Sequence, residues 1–478
     1  MLGTSSLPSH SDPRETVTFA EKHELRLWLN GKPVVERNPD PNESLIHFVR
    51  RKGYTGTKLG CSEGCGCGSC TVVVESFDYA TDQVVTNSVN SCLAPACSVD
   101  GKHVITIEGL GNAKNPHVVQ TVIAEAHGSQ CGFCTPGIAM SLYAAMKKNP
   151  HADEHVIEDA FDGNLCRCTG YRPILEGAKK VSPGGRKDSW GRGDLGAGEY
   201  IAKRKANYLF SFQEGDVDIE DMTEIPFPPT LLEHYLKNPE PVSYVIDSGE
   251  VKWFHPATVD ELLDIMDAYP KAKIINGNTE VGIEVRFKNQ KYPVLINTQD
   301  IPELRKTVAA GDGITFGAAT TLTSLQEQIL DLRMQLKPHQ TRGLVAILDN
   351  IKYFAGHQVR NVSAIAGNIC TASPISDLNP VWVALGAVVT VRSRTGGERK
   401  IAMEEFFLGY RQIALQPTEV VVSIFVPFTT ESEYVKSFKQ AKRREDDIAI
   451  VNSCIRVAVD MVDGKAVVCK AVFVFGGM

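Results

Sequence analysis

The stretch GCSEGCGCGSC (Gly60–Cys70) sets four thiols and four glycines within eleven residues, and few folds accommodate such a loop. Clustered thiols ask for a metal or a disulfide, and glycines at this density ask for backbone that wraps closely around a bound group. The chain has thirteen cysteines and no secretory signal is visible in MLGTSSLPSHSDPRETVTF, which favours metal ligation over disulfides and a cytoplasmic address, with a peroxisomal one left open. That N-terminal stretch reads as a short disordered lead-in. The net charge of -7 argues against a nucleic-acid partner, because phosphate contacts need a basic face. The longest uncharged apolar run, Val381–Val391, is far short of the ~18–20 residues of a membrane span. At 478 residues, with 43% hydrophobic and 22% charged, the chain is ordinary globular protein of roughly three domains at ~150 residues each.

The surroundings of the loop are legible. HELRLWLNGKPVVE reads as two strands joined by an Asn30-Gly31 turn. ESLIHFVRRKG reads as a short helix stopped by Gly53, and TVVVESF and HVITIEG (His103–Gly109) read as strands. Hairpin, helix, cysteine loop, strand is the order of a plant-type ferredoxin, whose ligands are spaced C-x4-C-x2-C with a distant fourth cysteine. Cys67 and Cys70 supply the C-x2-C pair, and Cys92 in VNSCLAP the distant ligand. Five residues, not four, separate Cys61 from Cys67. Cys65 is the simplest insertion, and Cys61 and Cys65 both stand as candidates for the first ligand. The competing reading is a zinc site built from close cysteine pairs.

A second group follows on helices. KNPHVVQTVIAEAHG is read with Asn115 as N-cap and Pro116 in the first turn. Thr135-Pro136 opens the next helix, and HVIEDAF and YRPILEGAKKV complete a four-helix unit. Cys131 and Cys134 precede the second helix, while Cys166 and Cys168 lie between the third and fourth. Cys370, Cys454 and Cys469 are scattered and read as small apolar side chains. Ser182–Tyr200 is rich in glycine and charge and reads as a flexible linker.

Further on, Thr258-Val259-Asp260-Glu261 is a capping box, AKIIN a buried strand, and GNTEVG (Gly277–Gly282) a turn out of it. Small and hydroxylic residues straight after a strand suit a pyrophosphate, although a Gly-Asn pair is more often only a turn. SAIAGNICTASPISDLNP (Ser363–Pro380) repeats the chemistry; read bare, it is a serine- and threonine-rich loop. No G-x-G-x-x-G or Walker sequence occurs.

QCGFCTPG and NLCRCTGYRPI, placed after a ferredoxin-like region, resemble the xanthine dehydrogenase and aldehyde oxidase family, and VNSCLAPACSVDGKHVITIEGLG resembles its fungal xanthine dehydrogenases. The resemblance spans about Glu24 to Met478. It implies an α+β multidomain fold: a ferredoxin-like β-grasp domain (24–110), a helical 2Fe–2S domain (111–181), a linker (182–226), an α/β FAD-binding domain of the xanthine dehydrogenase/vanillyl-alcohol oxidase type (227–430), and the start of an incomplete C-terminal flavin subdomain (431–478). It implies two 2Fe–2S clusters, one on Cys131, Cys134, Cys166 and Cys168, the other on Cys61, Cys67, Cys70 and Cys92, with Cys65 the alternative to Cys61 as first ligand. FAD is implied on Ile275, Gly277, Asn278, Thr279 and Glu280, on Gly367, Asn368, Thr371, Ser373, Ser376 and Asp377, and beside Phe354 and Lys439. The charge run Lys442–Asp447, bare a solvated loop, would lie on the nucleotide side. Electrons would pass through the helical and then the ferredoxin-like cluster to FAD, and on to NAD or oxygen, in purine oxidation. The family also implies a homodimer and a molybdenum–pterin region expected beyond this chain, which Gln130 would face. No residue here is nominated for substrate hydroxylation. Alternatives are a separate iron–sulfur flavoprotein subunit of a multi-chain hydroxylase and a non-catalytic truncated remnant.

Overall fold

The computed structural model describes residues 4–6, 18–181, 225–444 and 446–477; the greater part of the expected linker lies outside them. Asn30 and Gly31 take left-handed φ values of 51° and 76°, which match the twist of a two-residue hairpin. They join strands Glu24–Leu29 and Lys32–Arg37. These lie at one side of a five-stranded sheet that continues through His103–Ile105, Thr71–Asp78 and Gln83–Asn90. Leu25, Leu27 and Leu29 alternate inward and meet Leu45, Phe48 and Val49 of helix Leu45–Arg51, which is the β-grasp expected. The strand read over HVITIEG ends early, at Ile105, and Ile107–Leu110 is a helical turn. The cause is a contact from the hairpin turn, 76 residues away: Asn30 Oδ1 accepts the Thr106 N–H at 2.8 Å, removing it from the ladder.

The helical unit comprises Val118–Glu125, Thr135–Lys148, Glu154–Asp159 and Arg172–Lys179. Its first N-cap is His117, not Asn115. The His117 ring accepts from Val119 N–H and Gln120 reaches back to the His117 N–H, while Asn115 is held in a turn with Asn112. Val73 and Ile105 of the β-grasp sheet pack into the same core as Val119, Val122, Ile138 and Leu142, so the two units share an apolar interior.

Across that junction lies the buried carboxylate of Glu75, 2.8 Å from His103 Nδ1 and 2.6 Å from Lys147 Nζ. Burial raises its pKa, but His103 and Lys147 outweigh burial and hold it below its ordinary 4.5. A depressed carboxyl contributes stability above its unfolded pKa and loses it as pH falls through the folded one. Glu75→Gln is expected to cost about 3–5 kcal/mol near neutral pH, the range for breaking a buried ion pair, and to make the unfolding midpoint less sensitive to acid. Denaturant titrations at neutral and acid pH check both.

The remaining sheets form the region expected to hold the flavin. A six-stranded sheet runs in the order Thr4–Ser6, Thr18–Glu21, Tyr244–Asp247, Lys252–His255, Val294–Asn297 and Lys273–Ile275. The N-terminal stretch is therefore not wholly a disordered lead-in: Ala20 pairs with Tyr244, and buried Phe19 packs edge-on against Phe254. The anchoring strand is distant in sequence, so no local pattern announced it. A five-stranded antiparallel sheet packs over the same core, and Glu433–Ala441, Ala449–Val462 and Lys465–Gly476 form a third. Among the described residues no helix is long and apolar enough to cross a membrane.

Candidate functional site

The thiols meet two by two. Cys61 lies beside Cys67, and Cys70 beside Cys92; in the helical unit Cys131 lies beside Cys168, and Cys134 beside Cys166. Among the described residues no three His, Cys, Asp or Glu side chains converge where a single ion would sit. A tetrahedral zinc draws four thiolates to one point, whereas a 2Fe–2S cluster spreads four over two irons. The observed pairs fit the second. In each pair one thiol is pulled down and its partner pushed up: Cys61, Cys70, Cys131 and Cys166 down, Cys67, Cys92, Cys168 and Cys134 up. Cys61 falls to about 5, drawn by the Cys67 thiol and, against burial, by the N–H groups of Gly66, Gly64 and Cys67.

Cys65 stands apart. It turns into an apolar pocket with Ile46, Cys70, Cys92, Leu93 and Ile283, receives Asn90 Nδ2 at 3.3 Å, and burial pushes its thiol up to about 12. The extra residue is taken up by left-handed Ser62, Glu63 and Cys65. Glu63, which sequence reasoning passed over, pins this bulge between His47 and Arg286. Gly68 needs both its positive φ of 66° and its missing side chain, because a Cβ there would lie 2.3 Å from the Gly163 carbonyl. The cluster loop is pressed directly onto the helical unit.

The second set is more open, with Cys131, Cys168 and neighbouring Gln130 exposed and Cys166 buried. Thr169 Oγ1 lies 3.1 Å from Cys166 Sγ, and Lys58 Nζ reaches the carbonyls of Gly132 and Phe133 between Cys131 and Cys134.

The two stretches expected to hold FAD come together. Ile275 ends a strand, Gly277–Glu280 turn out of it, and helix Val281–Lys288 follows. Thr279 Oγ1 is 2.9 Å from Ser363 Oγ, and Asn276 Nδ2 donates to Val362 O. Asn278, left-handed at φ 58°, donates to the carbonyl of Leu93, the neighbour of Cys92; the flavin turn is tied to the cluster loop. The second stretch is only partly a loop. Gly367, Asn368 and Thr371 lie in helix Ile365–Thr371, and Ser373, Ser376 and Asp377 follow it, with Ser376 Oγ donating to Asn368 Oδ1 at 3.0 Å. Lys439, buried, joins Asp377 Oδ2 at 2.8 Å to the carbonyl of Tyr353 at 2.7 Å, beside Phe354. Glu280 is turned to Arg411 at 2.8 Å. Around these residues Asn276 Oδ1 and Thr320 Oγ1 are buried without a hydrogen-bond partner, and the face of Gly367 is open. Unmet polar atoms beside open backbone are what a bound polar group would satisfy.

Four family models match in chain order: a 2Fe-2S iron-sulfur cluster binding domain over 28–97, a second 2Fe-2S binding domain over 106–179, the FAD binding domain in molybdopterin dehydrogenase over 249–429, and the CO dehydrogenase flavoprotein C-terminal domain over 436–478. The xanthine dehydrogenase of Emericella nidulans is 42% identical over 496 residues, covering 99% of this chain and 36% of that protein. Over its iron–sulfur and FAD-binding regions, the chain belongs to the xanthine dehydrogenase family. Other members include xanthine dehydrogenase/oxidase of Rattus norvegicus, 44% identical over 95% of this chain and 34% of that protein, and xanthine dehydrogenase of Blastobotrys adeninivorans, 41% identical over 95% and 36%. The chain spans about a third of the length of these xanthine dehydrogenases. It carries two 2Fe–2S-binding domains and an FAD-binding domain of the family.

Proposed function

We propose that the chain is the electron-transfer portion of a molybdenum hydroxylase acting on purines, delivering electrons to NAD. The pairing of eight thiols into two two-by-two sets carries this reading. Cys61, Cys67, Cys70 and Cys92 hold one 2Fe–2S cluster, and Cys131, Cys134, Cys166 and Cys168 the other. The Gly277–Glu280 turn, the Gly367–Asp377 stretch, Phe354 and Lys439 hold FAD. When bound, the clusters exchange single electrons and the flavin exchanges one or two, so the groups together join a two-electron oxidation to a two-electron acceptor.

The chain's own residues set order and access. Exposed Cys131, Cys168 and Gln130 present the helical set outward, toward a molybdenum–pterin region. On the ferredoxin-like set, the N–H groups of Gly64 and Gly66 offset negative charge on the Cys61 sulfur. Asn278 holds the flavin turn against Leu93, which makes the ferredoxin-like set the one adjacent to FAD. The Lys442–Asp447 run, where Arg443 N–H bonds Asp447 Oδ2, borders the nucleotide side. A homodimer and a cytoplasmic location complete the proposal.

The purified 478-residue chain is expected to hold about four irons and four inorganic sulfides with one FAD, to reduce a dye with NADH, and to leave xanthine unoxidised. Zinc as the dominant metal would overturn the cluster assignment. Xanthine turnover by this chain alone would overturn the electron-transfer assignment.

A further inference from the structure

Between the two cysteine sets runs a buried polar network to which the flavin region contributes one side chain, Gln358. We propose that Gln358 is a positioning residue that fixes the separation of the two sets by locking Asn164 onto the loop between Cys67 and Cys70. The inference rests on the reading that both sets hold clusters.

Gln358 sits in the short helix His357–Arg360 and is fully buried. Its Nε2 donates to Asn164 Oδ1 at 2.8 Å and to Ser141 Oγ at 2.9 Å. Ser141 in turn donates to the same Asn164 oxygen at 2.7 Å. With its oxygen fixed from two sides, Asn164 aims its Nδ2 at the cluster loop, donating to the Gly68 carbonyl at 3.1 Å and to Thr71 Oγ1 at 3.4 Å. Gly68 lies between Cys67 and Cys70, and Asn164 two residues before Cys166. The next residue, Leu165, donates its N–H to the Cys67 carbonyl at 3.0 Å. One hydrogen bond therefore joins the residue beside Cys166 to Cys67 itself, the shortest bonded link between the sets that these contacts provide.

The contact leaves no slack. A Cβ on Gly163 would lie 2.1 Å from Gln358 Oε1, and one on Gly356 would lie 2.3 Å from Gly163 Cα. Asp162, at the head of the same segment, is paired with Arg360 at 2.9 Å, both nearly inaccessible to water. Residues 162–165 are thus held by the flavin region at Asp162 and Asn164 and by the cluster loop at Leu165. A buried amide has no water to fall back on, so loss of Gln358's donors leaves Asn164 held at its oxygen by Ser141 alone and lets the segment relax. Electron tunnelling falls exponentially with separation, and so does exchange between two paramagnets, so a small relaxation here is read out strongly.

The test uses the full chain with Gln358→Leu, which keeps bulk and removes both donors, and Gln358→Asn, which keeps the amide but shortens its reach. Iron and sulfide are counted, and the dithionite-reduced protein is examined by low-temperature electron paramagnetic resonance for splitting between the clusters. Lys148→Ala serves as the comparison, because it loosens the same junction by removing the outer Lys148–Glu327 ion pair without touching the network. The expected result is full iron in all variants, splitting retained in wild type and Lys148→Ala, and splitting lost or collapsed in the Gln358 variants. If Gln358→Leu does not fold, Gln358→Asn is read alone. Unchanged splitting in a Gln358 variant with both clusters overturns the proposal, as does equal loss in Lys148→Ala, or two loaded clusters without splitting in wild type. Absence of iron from wild type would instead overturn the cluster reading beneath it.

Discussion

Cys67→Ser or Cys70→Ser is expected to halve the iron, from about four per chain to about two, whereas Cys65→Ser leaves it whole. A 2Fe–2S cluster needs four thiolates within bonding reach of two irons, and serine at one of them removes a soft ligand that its oxygen replaces poorly. Cys67 and Cys70 are the inner members of two different thiol pairs, so either loss opens one iron. Cys65 belongs to neither pair. Its thiol lies in the apolar pocket beneath the loop, beside Ile46, Leu93 and Ile283, and takes a hydrogen bond from Asn90. Cys61 is the partner of Cys67 in one pair, with three backbone N–H groups around its sulfur. It should therefore behave like Cys67. Loss of iron in Cys65→Ser with retention in Cys61→Ser would reverse the ligand register. The fourth thiol of GCSEGCGCGSC is, on this account, a packing residue: it fills the apolar pocket beneath the loop with Ile46, Leu93 and Ile283.

What was legible in the sequence depended on how local its cause was. The Asn30-Gly31 turn, the Thr258–Glu261 capping box and the C-x2-C and C-x-C spacings are readable because each is made by residues a few positions apart. His117 replaced Asn115 as helix cap because a competing turn, also local but weaker in pattern, engaged Asn115. The pairing of Thr18–Glu21 with Tyr244–Asp247 spans the whole iron–sulfur region, and no periodicity reports a partner that far away. The same holds for the site. Cysteines announce themselves by type, but Asn164, Gln358 and Asn278 are ordinary polar residues whose roles come from buried contacts across more than 180 positions. The resemblance located the flavin stretches, and only the fold shows that the first of them is bonded to the cluster loop.

Lys439→Met is expected to destabilise the flavin region by about 3–5 kcal/mol, the range for breaking one partner out of a buried ion pair, and to release FAD. Lys439 is 5% and Asp377 9% exposed, and the ammonium is shared between the Asp377 carboxylate and the Tyr353 carbonyl. Burial raises the Asp377 pKa while Lys439 and the Asn452 amide oppose the rise; without the lysine burial is opposed by Asn452 alone. A carboxyl raised above its unfolded value contributes stability at low pH and loses it as pH rises through the folded value. The variant should therefore be relatively more stable in mild acid than at alkaline pH, opposite in sign to the Glu75 effect. Asp377→Asn in the same chain removes the uncompensated charge and should return most of the lost stability. FAD separates the two roles of the pair. If Lys439 and Asp377 touch the flavin, the double variant regains its unfolding midpoint but not its bound FAD. If they only join the Asp377 loop to strand Glu433–Ala441, FAD returns together with stability, and Lys439 leaves the set of flavin-binding residues.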